Sequence, residues 1–272
     1  MKNKFKLLIS IFFLYFSIIN VLAIEDFNFE SKSIEIIENE VVIAKDGVKV
    51  VTSDGLQILA SESTYNRSTK ILELKENVSI IDEIQNLKFY SNNITYNKLL
   101  EKITSSSKTK IDINNSHLII TKDITFLRSK FLIKSDQPTI IKDKFNNQIK
   151  LSGFNYSIKN KTLKTKKMEL IDNKSNIYKS ENAMLDLNSE KIAAKDIQIY
   201  FAEGELGKNA RLKGSSFISE NDISTIKNGI FTACKIREKC PPWSLKSKEV
   251  THNKNKKTIS YKDTWLELYD MP

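Results

Sequence analysis

The chain has 272 residues, with 43 Lys and Arg against 33 Asp and Glu and a formal net charge of +10. Its seven glycines and four prolines fall well below the roughly 19 and 14 of average usage, which excludes a collagenous or Gly/Pro-rich low-complexity chain. Apolar residues make up 40% of the sequence, with 14 Phe and 9 Tyr, so there is material for a core and wholesale disorder is excluded.

The N-terminus bears on the charge. Lys2, Lys4 and Lys6 precede a run from Leu7 to Ile19 broken only by Ser10, Tyr15 and Ser17, and Val21-Leu22-Ala23 supplies small residues for cleavage. This pattern predicts a secretory signal peptide over 1–23. The apolar run is short for a membrane span of about 20 residues, and an uncleaved anchor is the alternative. Cleavage after Ala23 leaves 40 basic residues against 33 acidic, a net +7. Only Arg67, Arg128, Arg211 and Arg237 are arginines. Bidentate phosphate recognition favours Arg, and an exported chain does not meet chromosomal DNA, so no nucleic-acid partner is expected. An anionic lipid head group or membrane surface is the remaining use for the lysines.

After the signal peptide the apolar pattern has period two. Val48 and Val50 alternate around Lys49, Leu56 and Ile58 around Gln57, Leu72 and Leu74 around Glu73, and Val78 and Ile80 around Ser79. Such runs, bounded by Asn, Asp, Ser and Lys, read as strands joined by Asn- and Asp-based turns. Tyr65, Tyr96, Phe126, Tyr156 and Leu185 recur every 29 to 31 residues, each ahead of a polar turn. An apolar residue follows each at six or seven positions: Ile71, Ile103, Leu132, Leu163 and Ile192. The expectation is a stack of strand–turn–strand–turn units, with a generic β-sandwich as the alternative. Gly204, Gly207, Gly214 and Gly229 concentrate in one stretch and suggest a tight corner there. Strands are expected at Ile197–Phe201 and Ser216–Ser219 as well.

Little points to catalysis. His117 and His252 have neither a cysteine nor a second histidine at metal-ligand spacing, and no nucleophile triad or phosphate loop is visible. Neither an enzyme nor a cofactor is expected. Cys234 and Cys240 bracket five residues and lead into Pro241, Pro242 and Trp243. In an exported chain both are expected to be oxidised, to each other or to a partner segment.

The stretch from Gly229-Ile-Phe-Thr-Ala-Cys234 through Cys240-Pro-Pro-Trp243 to Trp265-Leu-Glu-Leu-Tyr-Asp-Met-Pro272 resembles the junction before the barrel in the LPS-assembly protein (LptD) family. The upstream repeats, such as Gly47-Val-Lys-Val and Leu72-x-Leu-x-x-Asn77-Val78, resemble the organic-solvent-tolerance (OstA-like) domain of the same family. The resemblance implies three segments: a signal peptide (1–23), OstA-like repeats (24–228) and a Cys/Trp junction (229–272). The implied fold is an all-β, stacked and twisted β-jelly-roll, an open sandwich. The family's C-terminal barrel is not among the 272 residues, which are expected to be a fragment, a truncation or one part of a split protein.

The resemblance further implies a periplasmic domain at the outer membrane that receives lipopolysaccharide and passes it to the outer-membrane translocon. The implied partners are lipopolysaccharide, the periplasmic bridge protein LptA joined by edge-strand β-augmentation, and the barrel with its LptE-type plug. Val48, Val50, Leu56, Ile58, Leu72, Leu74, Val78 and Ile80 are expected on the inner face as a lipid groove, or else in an ordinary closed core. Lysines at the rim would meet phosphorylated sugars. Two competing readings are a soluble periplasmic scaffold that stacks through its edge strands, and an exported β-helix enzyme acting on carbohydrate.

Overall fold

The computed structural model describes residues 27–144, 147–203, 209–235, 242–253, 255–256 and 258–269. The expected signal peptide, Gly204, Gly207, Cys240 and Pro241 lie outside the described residues.

The first strands in chain order are β1 (Phe27–Glu30), β2 (Ser33–Ile37), β3 (Val41–Lys45), β4 (Val48–Thr52), β5 (Leu56–Ala60), β6 (Glu62–Asn66), β7 (Ile71–Asp82) and β8 (Leu87–Asn97). Short strands follow: β9 (Lys102–Ser105), β10 (Thr109–Ile113), β11 (His117–Thr121), β12 (Ile124–Leu127), β13 (Leu132–Ser135), β14 (Thr139–Asp143), β15 (Gln148–Leu151) and β16 (Phe154–Ser157). The last are long: β17 (Thr162–Ile171), β18 (Ile177–Asp186), β19 (Lys191–Tyr200), β20 (Arg211–Glu220), β21 (Ile223–Thr232), β22 (Trp243–Asn253) and β23 (Thr258–Leu268). Among the described residues a single 3-10 turn, Arg128–Lys130, interrupts them. The chain is all-β, and its strands form one antiparallel hydrogen-bonded network folded into a jelly-roll-like sandwich.

The pairings trace two layers. One runs β1–β4–β5 onto the second half of β7, then through β8, β10, β11, β14 and β15 to the second half of β17. The other runs β2–β3–β6 onto the first half of β7, then through β8, β9, β12, β13 and β16 to the first half of β17. From β17 onward every strand is long enough to belong to both layers. The layers meet along a spine where the strands bend, and their hairpin turns face each other across a mouth on the opposite side. Each 30-residue period between β9 and β16 thus holds four short strands, two per layer, rather than the two longer strands expected from the aromatic spacing. The core lies between the layers: Phe89 of one stacks on Phe126 of the other at 5.3 Å, and Tyr178 meets Phe217 at 6.0 Å.

The bends have a residue-level cause. In β7 a bulge of three, Lys75-Glu76-Asn77, separates Leu74 from Val78. At most bends, two consecutive outward polar residues separate two inward ones: Asn92-Asn93 between Ser91 and Ile94, Lys166-Lys167 between Thr165 and Met168, Lys195-Asp196 between Ala194 and Ile197. A strict alternation would point the second half of such a strand away from the core. The extra polar residue slips the pleat by one and turns the chain, so both halves face inward. Asn77, Asn182, Asp196 and Asn228 supply left-handed backbone at these corners, with φ between 49° and 51°. Asn and Asp tolerate that conformation best among non-glycine residues. Gly214 and Gly229 lie at two of the same bends, where a Cβ would sit 2.2 Å from Ile226 Cγ2 and 2.7 Å from Val250 Cγ2. Bends thus repeat along the whole spine rather than marking one corner at the glycine-rich stretch, of which Gly204 and Gly207 lie outside the described residues. Strands diverge at the bends and leave backbone groups unpaired, and hydroxyls cover them. Ser135 donates to Lys122 O at 2.7 Å, Thr139 to Gln137 O at 2.9 Å and Thr165 to Gly153 O at 2.7 Å.

The recurring aromatics form one cross-strand column. Tyr65 registers with Leu72, then Tyr96, Ile103, Phe126, Ile133, Tyr156, Leu163, Leu185 and Ile192 follow in unbroken order. The spacing from aromatic to partner is seven throughout. Leu72 and Ile133, not the expected Ile71 and Leu132, are the inward members, because Ile71 and Leu132 stand on the outer side of the pleat. Residue 229 falls inside β21, so the junction segment continues the same stack as β21 to β23.

Candidate functional site

All eight residues expected to line a groove point inward, and each is 2% exposed or less. They lie in a sealed half of the sandwich and pack against one another. Beneath the mouth Phe27 packs on Tyr65 at 4.7 Å and on Tyr96 at 5.8 Å. Above these rings an ionic clasp ties the layers together. Arg128, from a turn of the second layer, reaches Asp82 at 3.3 Å and Asp54 in turns of the first, and also Glu101 at 3.1 Å. Lys98 bridges Asp54 at 3.1 Å and Glu101 at 3.3 Å.

Burial disfavours charge at Asp54, Lys98 and Arg128, and the partners decide the outcome. Burial pushes the Asp54 carboxyl up, but hydrogen bonds from Thr52, Arg128 and Lys98 outweigh it and hold the group well below the usual carboxylate range. Burial works against the Arg128 cation, and its bond to Asp54 more than restores it. Burial raises the Tyr96 hydroxyl as well. None of the ionic members of the clasp was given a role from the sequence, because Arg128 lies 46 residues from Asp82 and 74 from Asp54.

Further along the stack the mouth opens. A cavity of about 370 Å³ lies between the layers, with a floor of Ile149, Met168, Leu170 and Tyr178 from one layer and Leu185, Ile192 and Phe217 from the other. Its rim carries Asp143, Asp172, Asp186, Glu190, Glu220 and Asp222 with His117 and Lys191. A second, narrower opening of about 240 Å³ adjoins it and brings Lys144, Lys161 and Tyr156 to the same mouth. Much of the rim is structural. Asp143 accepts the Asn147 amide, Asp172 accepts the amides of Lys174 and Asn176 and the Tyr178 hydroxyl, and Glu220 pairs with Lys191 at 2.8 Å. Burial lowers the His117 pKa although Asp143 and Glu190 oppose it, and its Nδ1 lies 2.9 Å from the Ser116 hydroxyl. Burial raises the Tyr156 hydroxyl to about 12. Around these two openings the lysines are few: Lys191, paired with Glu220, on the larger and Lys144 and Lys161 on the narrower. Among the described residues no group of three or more His, Cys, Asp or Glu is arranged to hold a metal ion.

The junction residues are separate from this cavity. Cys234 is a half-buried free thiol with Sγ 3.8 Å from Trp243 O, and Cys240, the nearer of its expected partners, is outside the described residues. Trp243 packs on Phe231 at 6.0 Å, its carbonyl accepts the Thr232 hydroxyl at 2.8 Å, and Pro242 O accepts the Tyr269 amide at 3.0 Å. At the ends of the stack, β2 is exposed throughout with Ile34, Ile36 and Ile37 outward, and β23 exposes Trp265, Leu266 and Leu268. Each has a strand partner on one side only among the described residues. No protein-family model matches the chain, and no curated protein matches it in sequence.

Proposed function

We propose that the sandwich is a carrier for the acyl chains of an amphiphile, and specifically the periplasmic lipopolysaccharide-binding domain of an outer-membrane LPS-assembly protein. The observation that carries this reading is a cavity with an apolar floor and a polar rim, opening sideways between the two layers. An acyl chain has no hydrogen-bonding needs and matches a floor of Ile149, Met168, Leu170, Leu185 and Phe217. A lateral mouth lets the head group stay in water while the chain is sheltered. Lys144 and Lys161 at the adjoining opening are placed to meet head-group phosphates. In this reading the protein is exported by its signal peptide, receives lipid from LptA pairing on an edge strand, and delivers it to the barrel and its LptE-type plug.

Photo-crosslinking amino acids test the assignment. At Met168 or Phe217 they are expected to capture lipopolysaccharide, at sealed Ile58 or Leu74 to capture much less, and at outward Lys49 or Glu73 none. Equal capture at Phe217 and Glu73 would sink it.

The free edges favour a second reading, a periplasmic scaffold that stacks end to end by β-augmentation. It requires self-association that rises with concentration and no lipid retained on purification.

A further inference from the structure

Four neighbouring hairpin turns of the second layer, 66–71, 97–102, 127–132 and 157–162, hydrogen-bond to one another in sequence. Lys98 N donates to Lys70 O at 3.0 Å, Arg128 N to Glu101 O at 2.9 Å and Ile158 N to Phe131 O at 2.9 Å. They make a continuous ridge along one lip of the mouth, with a turn about every 10 Å. Each turn carries two Lys or Arg, and the four together hold one carboxylate, Glu101, which the clasp already occupies. Lys98 and Arg128 face into that clasp, whereas Lys130, Lys159 and Lys161 are exposed.

The middle of the ridge is apolar where turns are ordinarily polar. Leu99 is 70% exposed, Leu100 61% and Phe131 43%. Ile84, 75% exposed, stands on the opposite lip, over Gly55. A single exposed leucine needs no explanation. Three on adjoining turns, flanked by lysines, are a patch with a consistent chemistry.

We infer that this ridge docks the protein on an anionic lipid bilayer, with Leu99, Leu100 and Phe131 entering the interface and the lysines resting on lipid phosphates. Exposed apolar turn tips suit a fluid interface, which needs no complementary pocket. The exposed charges are lysines, compact point charges suited to diffuse attraction by a charged surface rather than to bidentate pairing. Apolar tips and basic residues add their contributions at such a surface. Docking there would hold the mouth beside the bilayer. The inference does not depend on what the cavity carries.

A polarity-sensitive dye on the full chain tests it, placed at Leu99→Cys or Phe131→Cys with Cys234 and Cys240 replaced by Ser. Vesicles of equal phosphatidylglycerol and phosphatidylcholine are expected to blue-shift the dye, and pure phosphatidylcholine vesicles are not. Leu59→Cys, on the outer face of the opposite layer, should stay water-like even where the chain adheres through another segment. Lys130→Glu with Lys159→Glu and Lys161→Glu should weaken partitioning onto the anionic vesicles by about tenfold or more. No shift at the ridge, or an equal shift at Leu59, overturns the inference. So does a shift with poly-glutamate but not with vesicles, which would assign the ridge to an acidic protein.

Discussion

Arg128 shows how much one side chain can decide. It is 7% exposed and neutralises carboxylates from two layers. Removing one partner of a buried ion pair leaves uncompensated charge, so Arg128→Ala is expected to cost about 3–5 kcal/mol in chemical denaturation. Asp54 makes the effect pH-dependent. Its folded pKa is depressed, so its stabilisation is complete above the ordinary value of 3.8 and is lost as pH falls below that value toward the depressed one. Asp54→Asn should therefore flatten the loss of stability below about pH 4, measured as unfolding free energy against pH. Phe126, fully buried in the aromatic column and stacked on Phe89, gives an uncharged comparison. Phe126→Ala is expected to cost about 3–5 kcal/mol with no comparable acid dependence. The column was legible in the sequence because its members recur at a fixed interval. The clasp was not, because its charges recur at the same interval as solvated turn residues such as Asp112, Asp143 and Asp172, and only the fold decides which of them meet.

At the scale of the element, the bent strand is the repeating device. The polar pair at most bends is visible in sequence as a one-residue slip in the alternation, as in Ile226-Lys227-Asn228-Gly229. Asn and Asp adopt the left-handed corners that a glycine-poor chain must still make. Where two strands approach most closely, glycine is required instead. Gly214→Val and Gly229→Val place methyl groups against Ile226 and Val250, neither of which has a long flexible side chain to yield. Each is expected to lower stability by about 1–3 kcal/mol, read from the thermal or denaturant midpoint. Alternation alone identifies the strands, but it does not tell whether a polar pair ends one strand or bends it. Tertiary contacts decide that, since β8 continues through Asn92-Asn93 while the chain breaks between β11 and β12 at Lys122-Asp123.

For the molecule as a whole, the sandwich divides into a half sealed by aromatics and the Arg128 clasp and a half with an open cavity. The eight inward residues from Val48 to Ile80 belong to the first, so the candidate lipid site moves to Met168, Leu170 and Phe217. The open ends are the other large-scale feature. Apolar edge strands pair readily with another chain, and charge or proline blunts them. Ile34→Lys with Ile36→Pro on β2 is expected to abolish any concentration-dependent self-association in sedimentation while leaving the melting midpoint within a few degrees.

Strand content, the inward set and the 30-residue column are all readable from the chain alone, because alternation and recurrence are local properties of a pleated backbone. The chain also carries the corner signal, in pairs of polar residues that interrupt the alternation. Where the two layers part and where they are tied is set by contacts between distant repeats. A gap between layers depends on which turns from distant repeats meet across the mouth. Asp54, Asp82 and Arg128 close it at one place, while Asp143, Asp172 and Glu190 leave it open at another, and no local pattern in the chain distinguishes those carboxylates.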